Sequence, residues 1–95
     1  MNTKEILEFL NEIDADILKA DGFDDAIVGL AEGWFSNNSH HEVVCYDYAR
    51  CVEILVKQGM SEEEADEYLQ FNTTGAFVGE YTPVFLHNLR GKEDV

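Results

Sequence analysis

The chain has 95 residues, of which 20 are acidic and 6 are basic, so its formal net charge at pH 7 is −14. This length suits one domain, and a hydrophobic content of 45% favours a folded chain over a disordered one. So acidic a chain repels nucleic-acid phosphates and anionic lipids, and it is attracted to basic protein surfaces. We therefore expect neither direct nucleic-acid binding nor a membrane protein.

The N-terminus and the two cysteines indicate a cellular compartment. The first residues, MNTKEILEFLNE, are charged throughout, unlike a signal peptide. No apolar run approaches the ~18 residues that a membrane span requires. Cys45 and Cys51 imply no disulfide framework. We expect a protein of the reducing cytoplasm.

A first helix is predicted over residues 3–20, and Asp21-Gly22 is its expected end. Asn2 and Glu5 have the spacing of a capping box. The apolar residues recur at helical steps and share one face: Ile6, Phe9, Leu10, Ile13 and Ile17. Another face carries what we call the N-terminal acidic row: Glu5, Glu8, Glu12 and Asp16.

Two strands are predicted next, over residues 26–31 and 42–46, paired antiparallel because consecutive strands usually pair. Residues 33–41 between them are predicted to form a loop. Trp34 and Phe35 in that loop either cap the edge of the core or stand exposed.

The second helix is predicted to begin at Asp47, which is its expected N-cap, and to end at Gly59. Glu53 and Lys57 have the four-residue spacing of a helical ion pair. The predicted buried stripe consists of Tyr48, Cys51, Val52 and Leu55.

The third helix has the clearest start in the chain, because Ser61 and Glu64 form a capping box. One stripe of this helix recurs at three- and four-residue steps: Ala65, Tyr68, Leu69, Asn72, Ala76 and Gly79. The other side carries what we call the third-helix acidic cluster: Glu62, Glu63, Asp66 and Glu67.

Asn72 falls in the middle of the predicted apolar stripe. A buried amide costs free energy unless its hydrogen bonds are met, so we predict a bond from Asn72 to the backbone of a neighbouring element. Gly75 and Gly79 thin the same face and allow close backbone approach, and Gly79 is the expected helix end. Pro83 then opens a third strand near residues 83–87, at a first position or on an edge.

Together these elements predict one α+β domain over residues 1–95. It has about three helices on a three-stranded, mainly antiparallel sheet, in the order α-β-β-α-α-β. The N-terminal helix takes residues 1–21, the α+β core residues 22–87, and a frayed polar tail residues 88–95. Either edge of the sheet remains open to the third strand.

Catalytic and metal motifs are absent from the sequence. His40 and His41 are adjacent on a predicted strand and point to opposite faces, which disfavours a shared metal. The C-x5-C spacing of the cysteines is not a zinc spacing, and acidic surroundings raise a thiol pKa rather than lower it. We expect no enzyme activity, no cofactor and no metal.

A set of short motifs spans residues 22–86. They are Gly22-Phe23-Asp24-Asp25-Ala26, Tyr46-Asp47-Tyr48, Glu53-Ile54-Leu55, Gly59-Met60-Ser61, Glu63-Glu64-Ala65, Phe71-Asn72, Gly75-Ala76, Val78-Gly79-Glu80 and Thr82-Pro83-Val84-Phe85. This pattern resembles a family of small uncharacterised proteins encoded by tailed bacteriophages and prophages. The resemblance implies a phage protein in a bacterial cytoplasm and implies no activity. Small acidic phage proteins often resemble inhibitors of host defence, such as anti-CRISPR or anti-restriction proteins, and this is an analogy of context.

Two functions follow as expectations. The first is a protein that binds a basic, nucleic-acid-binding surface of a host protein through the N-terminal acidic row and the third-helix acidic cluster. The alternative is a structural or regulatory accessory module that acts through a homodimeric or other apolar interface. Trp34, Phe35 or residues 84–86 would supply that interface, and the acidic surface would then serve solubility.

Overall fold

The computed structural model describes residues 1–35, 39–72 and 79–90. Over these residues the chain forms three α-helices and one three-stranded sheet, which is the α+β architecture that the sequence predicts. A 3-10 turn before the first strand is an addition to the predicted order. The elements are α1 (Thr3–Ile13), the 3-10 turn (Asp24–Ala26), β1 (Ile27–Phe35), β2 (Ser39–Asp47), α2 (Tyr48–Lys57), α3 (Glu62–Asn72) and β3 (Val84–Leu86).

The sheet has the order β1-β2-β3 and is mixed. β1 and β2 form the expected antiparallel pair. β3 is short and lies parallel to β2, with Cys45 opposite Val84 and Asp47 opposite Leu86. Pro83 directly precedes this edge strand, where a residue without a backbone N–H is tolerated. The third strand therefore pairs at the edge of β2 that β1 leaves open.

The β1–β2 hairpin is longer than the sequence predicts. The expected loop over residues 33–41 is wrong at both ends, because Gly33, Trp34 and Phe35 pair with His41, His40 and Ser39. The polar residues of this stretch are typical of a loop. Aromatic side chains, however, favour strands when they contact neighbours on the paired strand. Residues 36–38 lie outside the described residues.

The first helix is shorter than predicted and ends at Ile13. Asp14 adopts an extended conformation, and its carboxylate accepts the Asp16 N–H at 3.0 Å. Aspartate side chains compete in this way with helical backbone bonds. The prediction that the helix reaches residue 20 and stops at Asp21-Gly22 is therefore wrong, although Ile17 still packs against the core from an irregular segment.

The predicted helix caps are confirmed. The Asn2–Glu5 capping box has both bonds at 2.9 Å, and the Asp47 carboxylate accepts the Ala49 N–H at 3.1 Å. Ser61 and Glu64 make the reciprocal bonds of the second capping box, at the start of α3, at 3.1 and 2.9 Å. These local bonds satisfy backbone donors that a helix start leaves unpaired.

The α2 helix ends at a glycine, as predicted. Gly59 has a φ of +111°, and its N–H bonds to the Val56 carbonyl at 3.0 Å. The Met60 N–H returns to the Leu55 carbonyl at 3.2 Å. This pair of bonds is the Schellman motif, which places a left-handed residue after the last helical turn.

The core lies between the helices and one face of the sheet. The predicted α2 stripe is confirmed, since Tyr48, Cys51 and Leu55 are buried and Val52 is partly buried against them. The other buried members of the cluster come from the rest of the chain: Leu10, Phe23, Ala26, Ile27, Val44, Tyr46, Ala65 and Leu69. No helix in the described ranges is both long and apolar enough to cross a membrane.

Asn72 does not occupy the predicted buried position. Its side chain is exposed, and its Nδ2 donates to the Tyr68 carbonyl at 3.2 Å within the same helix. The buried contact of α3 ends at Leu69, so the last turn lies at the surface. Gly75, like Ala76, lies outside the described residues, and Gly79 has a φ of +109° in the turn before β3.

Candidate functional site

The N-terminal acidic row is only partly helical. Glu5, Glu8 and Glu12 are exposed on α1, whereas Asp16 follows the end of the helix. The Glu5 carboxylate accepts the Asn2 N–H, so it also holds the start of the helix. Glu8 and Glu12 remain one helical turn apart, and both project from the surface.

The third-helix acidic cluster lies on the exposed side of α3. Glu62, Glu63, Asp66 and Glu67 are all exposed, as the helical pattern predicts. Asp66 also has a structural contact, because its carboxylate accepts a hydrogen bond from the Tyr48 hydroxyl of α2. Burial, followed by this hydrogen bond, raises the pKa of Tyr48.

These acidic side chains have few basic partners. Within residues 1–35, 39–72 and 79–90, the one ion pair that involves Lys or Arg joins Arg50 to Glu53 at 3.9 Å. The sequence spacing predicts an ion pair of Glu53 with Lys57. Glu53 instead pairs with Arg50, three residues earlier. The negative charge of the surface is therefore largely uncompensated, which favours long-range attraction to basic proteins.

Trp34 and Phe35 lie on opposite faces of the hairpin. Trp34 is 73% exposed, and its ring stands edge-on to His40 with ring centroids 5.1 Å apart. Phe35 is partly buried and packs beside His41, at 5.0 Å between centroids. The two aromatic residues therefore do not form one joint apolar patch.

His41 connects the hairpin to the segment before β3. Its Nδ1 lies 2.9 Å from the Ser39 Oγ, and its Nε2 lies 2.8 Å from the Glu80 carbonyl oxygen. Its ring also packs beside Tyr81, at 4.2 Å between centroids. This role is structural, and the sequence offers no signal for it beyond strand alternation.

The sequence candidates for a metal site or a reactive thiol are the hairpin histidines and the two cysteines. His40 and His41 lie on opposite faces, and the described part of the chain brings no three His, Cys, Asp or Glu side chains into a metal-binding group. Both cysteines are free thiols. Burial, with a smaller contribution from Asp47, raises the pKa of Cys45 and raises that of Cys51 to about 12.

Tyr46 is the residue whose contacts sequence reasoning missed. Its ring is fully buried, and its hydroxyl accepts the Ala20 N–H at 2.6 Å and donates to the Ala20 carbonyl at 3.4 Å. A buried tyrosine hydroxyl needs a polar partner, but a partner 26 residues away leaves no sequence signal. Burial raises the pKa of Tyr46 to about 12, and the Ala20 bond opposes this shift.

The fold and its surfaces define the class of this molecule as a small acidic α+β domain with two acidic helix faces and one exposed tryptophan. Comparison with protein-family models, with curated proteins and with solved structures gives no match.

Proposed function

We propose that this protein is a non-enzymatic, acidic binding domain that engages a basic surface of another protein. The observation that supports the proposal is the uncompensated charge: 20 acidic residues against 6 basic ones, with a single Lys or Arg ion pair among the described residues. Self-repulsion at such a charge destabilises a compact domain. A basic partner would reduce that repulsion, and the negatively charged surface would attract such a partner.

The nature of the partner follows from the motif resemblance and from the sign of the charge. The resemblance to small phage and prophage proteins implies a host protein in the bacterial cytoplasm. A basic surface on such a protein commonly serves to hold nucleic acid. We propose that the acidic domain occupies that surface, as an anti-CRISPR or anti-restriction inhibitor would.

Capture from a nuclease-treated bacterial lysate, washed at low and at high salt, tests this proposal. We expect the retained protein to bind nucleic acid by itself and to be released by salt, because exposed charges are screened beyond the Debye length. Two double variants each remove two charges from one face. One carries Glu8→Gln and Glu12→Gln on α1, and the other carries Glu62→Gln and Glu63→Gln on α3. The pair that weakens retention more locates the contact.

Retention that survives high salt and is equal for both charge-reduced variants would contradict the proposal. Addition of the acidic domain should also release nucleic acid from the captured protein. Unchanged nucleic-acid binding by that protein in excess acidic domain would contradict competition for the same surface.

A second candidate is an accessory module that works as a homodimer. The observation in its favour is the exposure of apolar side chains at two places, Trp34 on the hairpin and Leu86 on the edge strand β3. Sedimentation at high salt tests it. A dimer that persists there and dissociates on Trp34→Ala would support this candidate, whereas a monomer at every salt concentration would eliminate it.

A further inference from the structure

The face of the hairpin that packs against the helices is covered only along part of its length. Leu30 and Val44 lie opposite each other in the core, and Val44 is fully buried. Two residues further along each strand, on the same face, Glu32 lies opposite Glu42, and then Trp34 lies opposite His40. Glu32, Glu42, Trp34 and His40 are exposed, so none of the described segments covers the outer part of this face.

Glu32 and Glu42 place like charges directly across the two strands. Directly opposite residues have Cβ atoms about 4.5–5.5 Å apart, and like charges there are destabilising. Neither β1 nor β2 contains a Lys or Arg that could neutralise the pair. Among the described residues, His40 is the residue that contacts this pair, with its Nε2 3.6 Å from the Glu32 carboxylate. The pair therefore suits a cation supplied from outside the chain.

Trp34 adds an aromatic surface to this carboxylate pair. Its edge-on contact with His40 holds the ring, and 73% of the residue is still exposed. Trp34 and Glu42 are diagonal neighbours in the antiparallel register, a relation that spans about 7–8 Å. A planar guanidinium fits such a site, because it can stack on the indole ring and bond to a carboxylate at the same time.

We propose that Glu32, Trp34, His40 and Glu42 form a site, here called the hairpin cation site, that receives an arginine side chain of the basic partner. The inference rests on the proposed function and names the anchor of that interaction. Charge complementarity selects a basic segment as the occupant, and the tryptophan favours arginine over lysine. Tryptophan and arginine are also among the residues that contribute most to binding at protein interfaces.

Binding of short peptides tests the site without knowledge of the natural partner. The probes are fluorescein-labelled hexa-arginine and hexa-lysine, followed by fluorescence anisotropy at low salt. Trp34 is the one tryptophan of the chain, so its own emission, measured with unlabelled peptides, reports contact at the hairpin. We expect hexa-arginine to change this emission and to bind about three-fold tighter than hexa-lysine, given the strength of an exposed cation–π contact.

Two double variants with the same charge change separate a local site from general attraction. Glu32→Gln with Glu42→Gln should weaken hexa-arginine binding about five-fold, as expected for two exposed ion pairs. Asp21→Asn with Asp25→Asn is the matched control, because both carboxylates are exposed and lie outside the two acidic helix faces, and it should weaken binding much less. Trp34→Leu should abolish the preference for arginine. Circular dichroism verifies that each variant folds. If Trp34→Leu does not fold, the glutamine variants still test the site, because glutamine keeps the shape of the glutamate side chain.

The outcomes distinguish the hairpin cation site from the acidic binding function on which it rests. Equal weakening by both double variants, with no change in Trp34 emission, would overturn the hairpin cation site and leave the acidic binding function standing. No binding of either peptide at low salt would overturn both. A self-associated chain in which Trp34 is buried between copies would also overturn the site, in favour of the homodimer.

Discussion

Tyr46 links the strand at the centre of the sheet to the irregular segment that follows α1. Its ring is fully buried and stacks with Phe85 of β3 at 5.4 Å between centroids. Its hydroxyl binds both backbone groups of Ala20. One side chain thus joins three parts of the chain that are distant in sequence, and it keeps the partly buried Ala20 backbone paired.

Substitution of Tyr46 by phenylalanine should destabilise the fold measurably. The ring and its packing remain, but the Ala20 N–H loses its acceptor, and an unsatisfied backbone group costs about 1–3 kcal/mol. Urea unfolding followed by circular dichroism measures the loss. Tyr68→Phe is the matched control, because Tyr68 is 40% exposed, and exposed substitutions usually change stability little. Equal effects of the two substitutions would contradict the role of the Ala20 bond.

Tyr46→Phe and the parent protein should also differ in how their stability falls at alkaline pH. The pKa of Tyr46 is raised from 10.0 to about 12 in the folded chain, so the unfolded state releases this proton first. The contribution of Tyr46 to stability is therefore fully present below pH 10 and is lost as the pH rises towards 12. Tyr46→Phe should show a shallower decline of the unfolding free energy over that window than the parent protein.

At the scale of elements, the helix ends separate what local sequence specifies from what it does not. The capping boxes at Asn2 and Ser61, the Asp47 cap and the Gly59 end all form as predicted, because each involves residues within five positions of one another. The predicted C-terminus of α1 is wrong. The helical spacing of apolar residues continues to Ile17, but Asp14 ends the helix before it.

Gly59→Ala should destabilise the protein through backbone strain alone. The φ of +111° lies in a region that L-residues avoid, and a Cβ at this position would meet no atom within 4 Å. We expect a loss of about 1–2 kcal/mol, measured by urea unfolding. Gly33→Ala is the control, because its φ is ordinary and its Cβ would meet only the Phe35 ring at 4.0 Å. A neutral Gly59→Ala would show that the Schellman end is dispensable.

The hairpin shows the opposite case, in which residue types misled the element prediction. The stretch from Gly33 to His41 is rich in Gly, Ser, Asn and His, so it resembles a loop. Cross-strand contacts of Trp34 with His40 and of Phe35 with His41 extend the strands instead. Those contacts arise only after the strands pair, and periodicity within one strand does not report them.

At the scale of the whole molecule, charge is the dominant property. The net charge of −14 sits on a surface where, among the described residues, one Lys or Arg ion pair forms. Such a surface favours solubility and association with basic proteins, and it weakens the compact state by self-repulsion. Both the proposed function and the hairpin cation site depend on this balance.

Salt should therefore stabilise this protein. Raising NaCl from about 0.01 M to about 0.2 M shortens the Debye length from roughly 30 Å to below 10 Å, so repulsion between exposed carboxylates falls. We expect the melting temperature, followed by circular dichroism, to rise by a few degrees. A variant with glutamine at Glu8, Glu12, Glu62 and Glu63 has a net charge of −14 + 4 = −10 and should show a smaller rise. Equal salt responses would contradict self-repulsion as the cause.

The sequence alone determined the fold class, the caps, the buried stripe of α2 and the acidic faces. These features depend on composition and on periodicity or spacing within single elements, and the physical forces behind them act locally. The tertiary structure alone decided the parallel pairing of β3, the exposure of Asn72, the Tyr46–Ala20 bond, and the Glu32–Glu42 and Trp34–His40 pairs. Each of these depends on which distant segments meet, and that choice is made by packing and strand register rather than by any local pattern.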